Sequence, residues 1–198
     1  MRRASLLLFE QSTVSTPVII TDDTQAMHFA LQLAGQSMYI TSPNPRVGCV
    51  IVRDSHIIAK GRTQPAGQAH AEAAALSDAQ ARGIDLRGAA GIATEVGLLA
   101  NEAREMNIGF FSRMERGRPW VRMKIAASLD GGTALTNGQS QWITSAAART
   151  DGHAWRARAC AILTGIGTVE QDDPQLTVRG IDTPRQPQRI VLDSALQI

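Results

Sequence analysis

The chain has 198 residues, of which 43% are hydrophobic, 19% charged and 4% aromatic, and its formal net charge is +2. Such a composition can bury a core in one or two domains, and so small a charge gives no support for nucleic-acid binding. No apolar run has the length of a membrane span. The apolar part of the N-terminus is shorter than a signal peptide requires. We therefore expect a cytoplasmic protein that has neither nucleic acid nor a membrane as a partner.

Helix and strand patterns alternate in the first half of the chain, after a loose N-terminal extension. Asp22 and its neighbours offer N-caps, and apolar residues then recur at helical spacing. A run that is apolar on both faces predicts a strand that is central in its sheet. In chain order we predict an extension over 1–22, a helix over 23–35, a rigid turn with two prolines over 41–46, strands over 47–52 and 56–61, and a helix over 70–83.

The two cysteines, Cys49 and Cys160, both stand in apolar surroundings. Neither belongs to a Cys-x-x-Cys pair, so no complete zinc or redox motif is present. We expect two buried free thiols, as in proteins of reducing compartments.

The second predicted helix begins with His70-Ala71-Glu72, a combination of side chains that can take part in metal-assisted catalysis. An imidazole can hold zinc, and a carboxylate two residues on can shuttle protons to metal-bound water. His-x-Glu is also the first half of a zinc deaminase signature that continues with Pro-Cys-x-x-Cys. Alone the pair is weak, because a solvated first helical turn with a Glu that favours the helix dipole looks the same.

The surroundings of this pair carry a family resemblance. Together with the loop at Gly67, they include the run Thr41-Ser42-Pro43-Asn44-Pro45-Arg46-Val47-Gly48-Cys49-Val50-Ile51-Val52. Over about residues 26–88 the chain closely resembles the deaminase domain of the bifunctional riboflavin-biosynthesis enzymes, which have a cytidine-deaminase-like domain followed by a reductase domain. The resemblance implies that His70 matches a zinc ligand, Glu72 the proton shuttle, and Asn44 a contact to the pyrimidine.

The chain also departs from that family. No cysteine lies between Cys49 and Cys160, and Leu86-Arg87-Gly88-Ala89 runs directly into a stretch that resembles the end of the same domain. A histidine that the family has before Gly67 is also absent. Zinc sites use three or four protein ligands, and His70 has none of its cysteine partners. We therefore expect an internal deletion, an incomplete metal site, no bound zinc and loss of deamination.

The rest of the chain predicts a linker helix and the start of a doubly wound α/β sheet. Ser145 is a good N-cap, and small residues at 165–167 follow a buried strand, where such a turn can admit phosphate. Gly165-Ile166-Gly167 alone is a weak signal, however, because a plain tight turn is the commoner reason for Gly-x-Gly. We predict domains at 1–22, 23–94 (deaminase-like remnant), 95–117 (linker helix) and 118–198 (reductase half), the last with strands over 120–126, 159–164 and 188–193 and a helix over 145–157.

The ordered motifs of this last part look like the pyrimidine reductase domain of the same family, which has a dihydrofolate-reductase-like fold and uses NADPH. They run from Ala-Ser-Leu-Asp-Gly through Gln-Trp-Ile-Thr to Asp-Asp-Pro and Leu-Thr-Val-Arg. Positions that match cofactor contacts are Ala126, Trp142, Thr168 and Asp172. Positions that match substrate contacts are Lys124, Ser140, Arg156, Leu176 and Arg179, and two arginines can clamp a ribose phosphate.

Because loops that leave strand ends converge in open α/β sheets, we expect the six polar or aromatic positions at such ends to share one cleft, namely Ser140, Trp142, Arg156, Thr168, Asp172 and Arg179. Each has a plainer alternative. Trp142 can be a core aromatic, Asp172 a turn or cap residue, and Arg156 part of a solvated helix face.

Two functions remain open at this point. The resemblance implies reduction of 5-amino-6-(5-phosphoribosylamino)uracil with NADPH, a phosphoribosyl-aminopyrimidine substrate and a homo-oligomer formed through the reductase domain. The chain ends at Ile198, before the glycine-rich NADPH loop and the acidic substrate residue of the family. The alternative is therefore a non-catalytic remnant, or a truncated fragment that needs a complete partner chain. For the chain as it stands we expect weak NADPH binding and little or no turnover.

Overall fold

The structure, a computed structural model, describes residues 19–86 and 96–196. The predicted junction of the internal deletion, at residues 87–95, and most of the N-terminal extension lie outside them. The helices and strands of the structure, in chain order, are α1 (Asp23–Gly35), β1 (Gly48–Arg53), β2 (His56–Arg62), α2 (Ala71–Ala81), α3 (Ala100–Met106), α4 (Ile108–Arg116), α5 (Ala146–Arg158), β3 (Ala161–Gly165), α6 (Ile166–Asp172) and β4 (Gln188–Leu192). Of the helices in this described part, none is both long and apolar enough to cross a membrane.

The first half of the chain, residues 19–86, is a β-hairpin that is held between two helices. Two glycines permit the contact, because a Cβ at Gly48 would lie 1.8 Å from the carbonyl oxygen of Ala30 in α1, and one at Gly61 would lie 2.2 Å from that of Ala71 in α2. Gly61 is paired with Cys49, the neighbour of Gly48 in β1. Neighbouring residues of a strand point to opposite faces, so α1 and α2 cover opposite faces of the hairpin.

This arrangement corrects the prediction that strand 47–52 is central in its sheet. Within the described residues β1 pairs with β2 alone, and the sheet has two strands. The run is apolar on both faces because a helix packs on each face. The buried apolar side chains of this half are small, namely Ala30, Ala34, Ala59, Ala71, Ala75 and Ala79, with Ile20 and Leu33.

The end of the N-terminal extension belongs to the fold, so the prediction that residues 1–22 pack poorly is wrong for 19–22. Ile20 is buried, and its N–H donates to the carbonyl oxygen of Ser55 at 2.7 Å. Ile19 forms a bridge with His56. The carboxylate of Asp22 accepts a hydrogen bond from the N–H of Gln25 at 2.8 Å and caps α1.

The predicted linker helix is in fact two helices, α3 and α4, which are separated at Asn107. The Oδ1 atom of Asn107 accepts from the N–H of Arg46 at 2.7 Å, and its Nδ2 donates to the Arg46 carbonyl at 2.9 Å. Both backbone polar groups of one loop residue, Arg46, are thereby satisfied by a single buried side-chain amide. The helix breaks where this side chain must face the loop.

In the second half of the chain, residues 118–196, β3 and β4 form a parallel pair, with Leu163 opposite Ile190. Ser145 caps α5 by accepting from the N–H of Ala148 at 3.2 Å, as predicted. Gly167 lies inside α6, which begins at Ile166, and not in a turn before a helix. Helix α6 follows β3 directly and is part of the crossover to β4, as a parallel pair requires.

The strand predicted over 120–126 is absent from the described part of the chain. The segment has no regular secondary structure and pairs with none of the described strands, and Val121 and Met123 are 78% and 81% exposed. An alternating apolar pattern predicts a strand only where a neighbour supplies backbone partners. Neither β3 nor β4 takes this place.

Arg185 joins the two halves. Its guanidinium donates to the carbonyl oxygen of Tyr39 at 3.2 Å, in the first half. It also donates to the carbonyl oxygens of Ala159 at 2.9 Å and Ala157 at 3.4 Å, at the end of α5. Ser42 Oγ lies 3.0 Å from Cys160 Sγ across the same boundary.

The close approach of α1 to β1 makes Gly48 a position where any side chain is costly. We expect Gly48→Ala to destabilise the chain by about 2–3 kcal/mol, because a helix backbone must move away. Gly35→Ala is the matched control, since a Cβ there meets nothing within 4 Å. Urea unfolding of the full chain measures both, and equal midpoints for the two variants would contradict the packing described.

Candidate functional site

An open cavity of about 530 Å³ lies between the loop that precedes α5 and the end of α6. Three of the predicted site residues line it, namely Ser140, Trp142 and Asp172. The remaining lining residues are Gly138, Gln139, Gln141 and Gln171. The lining is therefore polar, apart from one aromatic ring.

The loop that carries this lining is shaped by a turn over 135–139. The N–H of Gly138 donates to the Leu135 carbonyl at 2.8 Å, and the N–H of Leu135 donates to the Gln139 carbonyl at 2.9 Å. Gly138 has φ +83°, a conformation that glycine adopts at no steric cost. The turn thus brings residues 138–142 to the mouth of the cavity.

Trp142 is 70% exposed, which excludes the alternative that it is a core aromatic. One face of its indole is covered by Arg149, whose Cζ lies 4.3 Å from the ring centroid. Arg149 also donates to the Thr144 carbonyl, and this bond fixes the guanidinium. The ring is oriented by a cation–π contact and still presents aromatic surface to a planar ligand.

A second cluster contains the two predicted phosphate-binding arginines. Arg156 donates to the Thr177 carbonyl at 3.3 Å. Arg179 donates to Gln175 Oε1 at 2.9 Å and to Thr177 Oγ1 at 3.2 Å. Arg156 is half-buried and tied to this loop, so it is not part of a freely solvated helix face. Among the described residues, no carboxylate forms an ion pair with either arginine.

His153 completes this cluster. Its Nδ1 accepts the backbone N–H of Arg179 at 3.1 Å. Burial first, and then the positive charges of Arg156 and Arg179, hold the pKa of His153 below its ordinary value of 6.5, while the Thr177 carbonyl acts in the opposite direction. The native chain therefore binds fewer protons than the unfolded chain as the pH falls below 6.5, and this group reduces stability on the acid side.

Burial and the neighbouring Arg179 also lower the pKa of Arg156. Two cations without a described counter-ion, one of them partly desolvated, favour an anionic ligand. The shape of the guanidinium suits a phosphate oxygen pair. This cluster can therefore bind a phosphate group.

The structure does not gather all six predicted residues around one cavity. Arg156 and Arg179 form their own cluster and do not line the cavity of Trp142. Thr168 lies on α6, the helix that ends at Asp172, and is exposed. The roles of Ala126, Lys124 and Thr168 remain predictions. Leu176 is 9% exposed, so its side chain belongs to the core, and its substrate contact also remains a prediction.

In the first half, His70 is the N-cap of α2 and Glu72 lies in the first turn. Both are exposed, and the His70 side chain makes no capping hydrogen bond. Burial, and secondarily the charge of Glu72, raise the pKa of Cys49. In the parts of the chain that are described, no group of three or more His, Cys, Asp and Glu side chains could hold a metal ion. These residues do not fit a zinc ion.

The second cysteine is not buried as predicted. Cys160 is exposed at the boundary of the two halves, beside Ser42, whereas Cys49 is partly covered. The prediction failed because Cys160 lies just before β3, outside the strand, where its side chain reaches solvent.

Sequence reasoning missed His153 and Arg149. The signal for both was present, because residues four and three positions apart on α5 share a face, and Arg149, His153 and Arg156 follow that spacing. The glutamines of the cavity carry no such signal. Their place depends on a turn geometry that residue types alone do not specify.

Two family models match the chain. That of the cytidine and deoxycytidylate deaminase zinc-binding region matches residues 20–95, and that of the RibD C-terminal domain matches residues 119–198. The predicted order of a deaminase-like part and a reductase-like α/β part is thereby confirmed. The domain boundaries between them stay predictions.

Curated relatives agree with this order. The riboflavin biosynthesis protein RibD of Escherichia coli is 38% identical, with 87% of this chain and 63% of the relative covered. RibD of Haemophilus influenzae is 34% identical, with 90% and 64% covered. The matched stretch of the first is 232 residues, more than the 198 of this chain, so the relative has internal residues that this chain lacks. This supports the predicted internal deletion.

Solved structures of RibD-type proteins are also similar to this chain. A diaminohydroxyphosphoribosylaminopyrimidine deaminase/5-amino-6-(5-phosphoribosylamino)uracil reductase from Thermotoga maritima superposes with a TM-score of 0.80 at 30% identity, covering 86% of this chain and 62% of that one. RibD of Acinetobacter baumannii superposes with a TM-score of 0.77 at 35% identity, covering 89% and 64%. This chain, which spans a little under two thirds of the length of these relatives, belongs to the RibD family of riboflavin biosynthesis proteins.

Proposed function

We propose that this chain serves the reductase step of riboflavin biosynthesis, the reduction of 5-amino-6-(5-phosphoribosylamino)uracil with NADPH, and that it does not deaminate. The Thermotoga maritima protein carries both activities in its name. The observation that carries the proposal is the pairing of an exposed, oriented indole at Trp142 with a cation cluster at Arg156 and Arg179.

The cavity at Trp142 fits part of a dinucleotide. Its volume of about 530 Å³ lies in the range of small-molecule sites. Trp142 offers a stacking surface, and Ser140, Asp172 and the neighbouring glutamines offer hydrogen-bond partners. NADPH would supply the hydride, and the chain would position the two ligands. Ala126 and Thr168 are proposed as further cofactor contacts.

The arginine cluster fits the phosphate of the sugar. Arg156 and Arg179 would bind its oxygens, with Ser140, Lys124 and Leu176 as further proposed substrate contacts. Phosphate binding far from the reacting carbon fixes the orientation of the sugar, and this orientation is a large part of what a reductase must provide. Both cysteines are free thiols, which agrees with the cytoplasmic location that we propose.

A second candidate function has its own support. Val121, in a segment without regular secondary structure, is 78% exposed, and Leu163 and Leu192, on the two-stranded sheet of β3 and β4, are 59% and 60% exposed. Such apolar surface is typical of an interface. The alternative is that this chain is active only with a partner, either a second copy joined through the reductase domain or a complete homologue.

Separate assays of the two steps test the proposal. We expect any NADPH oxidation by the purified chain to require 5-amino-6-(5-phosphoribosylamino)uracil, and we expect no release of ammonia from the aminopyrimidine substrate of the deaminase. Activity that appears only after a complete RibD is added would favour the second candidate. Ammonia release that Glu72→Gln abolishes would contradict the loss of deamination.

The role of Trp142 gives a binding prediction. We expect Trp142→Ala to weaken NADPH binding by roughly five- to tenfold, since an aromatic stacking surface is removed. Trp120→Ala is the control, because Trp120 does not line the cavity. Calorimetric titration of NADPH measures both variants. Equal losses in both, or none in Trp142→Ala, would remove Trp142 from the site.

The zinc position gives a metal prediction. Elemental analysis of the purified chain should find far less than one zinc per chain, because His70 lacks the partners that a stable site requires. Treatment with a chelator should leave the melting temperature unchanged. One zinc per chain, lost in His70→Ala, would show that other residues complete the site.

A further inference from the structure

His153 is placed to control where Arg179 lies. Its Nδ1 is 3.1 Å from the backbone nitrogen of Arg179 and accepts that N–H. A nitrogen that accepts cannot carry a proton, so the ring is neutral with its proton on Nε2. The bond joins α5 to the loop after α6, two elements that no strand pairing connects here.

The same loop is held from several sides. Arg156, one turn further along α5, donates to the Thr177 carbonyl. From the other side, Gln186 Oε1 accepts the N–H of Val178 at 2.7 Å. Leu176 and Val178 are buried, so Arg179 stands on the outward side of an anchored segment.

The charged groups around the imidazole are Arg156 from its own helix and Arg179 from the loop, and the Thr177 carbonyl also faces it. Both cations disfavour a third positive charge at this place. The cluster therefore contains two fixed cations and one neutral acceptor. The acceptor contributes geometry and the arginines contribute charge.

We propose that His153 is a positioning residue of the phosphate site, and that its Nδ1, by accepting the Arg179 N–H, sets the separation of the Arg156 and Arg179 guanidinium groups for one phosphate monoester. This inference rests on the proposed function, because it assumes that the two arginines bind the phosphate of the sugar. It adds a residue whose own side chain need not touch the ligand.

Two variants of His153 separate the role of its hydrogen-bond acceptor from the role of its size. His153→Asn places an amide oxygen where Nδ1 stands and keeps the acceptor, whereas His153→Leu keeps the bulk and leaves the Arg179 N–H unpaired. We expect His153→Leu to weaken the binding of ribose 5-phosphate by roughly tenfold, and His153→Asn to stay within about threefold of the native chain. NADPH binding should not change in either variant, which distinguishes positioning from a general loss of structure.

Arg156→Gln and Arg179→Gln test the underlying site. If these variants bind ribose 5-phosphate as the native chain does, or if the native chain does not bind it, the proposed function fails and this inference with it. If the arginine variants lose binding but His153→Leu does not, the role of His153 alone is overturned. Should His153→Leu fail to fold, nitrogen NMR of the native chain decides, and a proton on Nδ1 at neutral pH would overturn the proposal.

Discussion

Hydrogen bonds from the Arg185 guanidinium to backbone carbonyls join the two halves of this chain at the end of the helix that carries Arg149, His153 and Arg156. Arg185 donates to the Tyr39 carbonyl in the first half, and in the second half to the carbonyls of Ala157 in α5 and of Ala159, the C-cap of this helix. The last carbonyl oxygens of a helix have no hydrogen-bond donor within the helix. A guanidinium group that reaches them supplies donors and also interacts favourably with the negative end of the helix dipole. Strand β3 begins at Ala161, so the bond from Arg185 to the Ala159 carbonyl also lies next to the start of this strand. The helix that carries Arg149, His153 and Arg156 is thus fixed at its end to the body of the protein.

The two halves differ in what their residues can still do. In the first half, His70 and Glu72 keep the positions that a deaminase resemblance assigns to them, but they are exposed and without metal-binding partners in the described residues. In the second half, Trp142 is oriented by Arg149, and the two arginines are held by a loop whose backbone is bonded on several sides. Binding of a phosphorylated ligand needs only such fixed charges and hydrogen bonds. Metal-assisted hydrolysis needs a complete ligand set, and one histidine cannot replace it.

Local signals predicted most of the secondary structure. Asp22 and Ser145 cap α1 and α5 as their residue types indicate. The failures concern contacts that are distant in sequence. The strand over 120–126 needs a neighbour that no described strand provides, and the linker helix breaks because Asn107 must reach Arg46. At the site, the exposure of Trp142 agrees with its predicted role, whereas the separation of Arg156 and Arg179 from its cavity depends on the loop path between α6 and β4.

We propose that the second half keeps a ligand site, whereas the first half has lost the deaminase chemistry. Hydrogen–deuterium exchange of the full chain, with and without saturating NADPH, tests it most directly. We expect slower exchange in peptides that contain residues 138–142 and 171–172, which line the cavity, and no change around His70 and Glu72. Protection at residues 70–72, or no protection anywhere along 138–172, would contradict it.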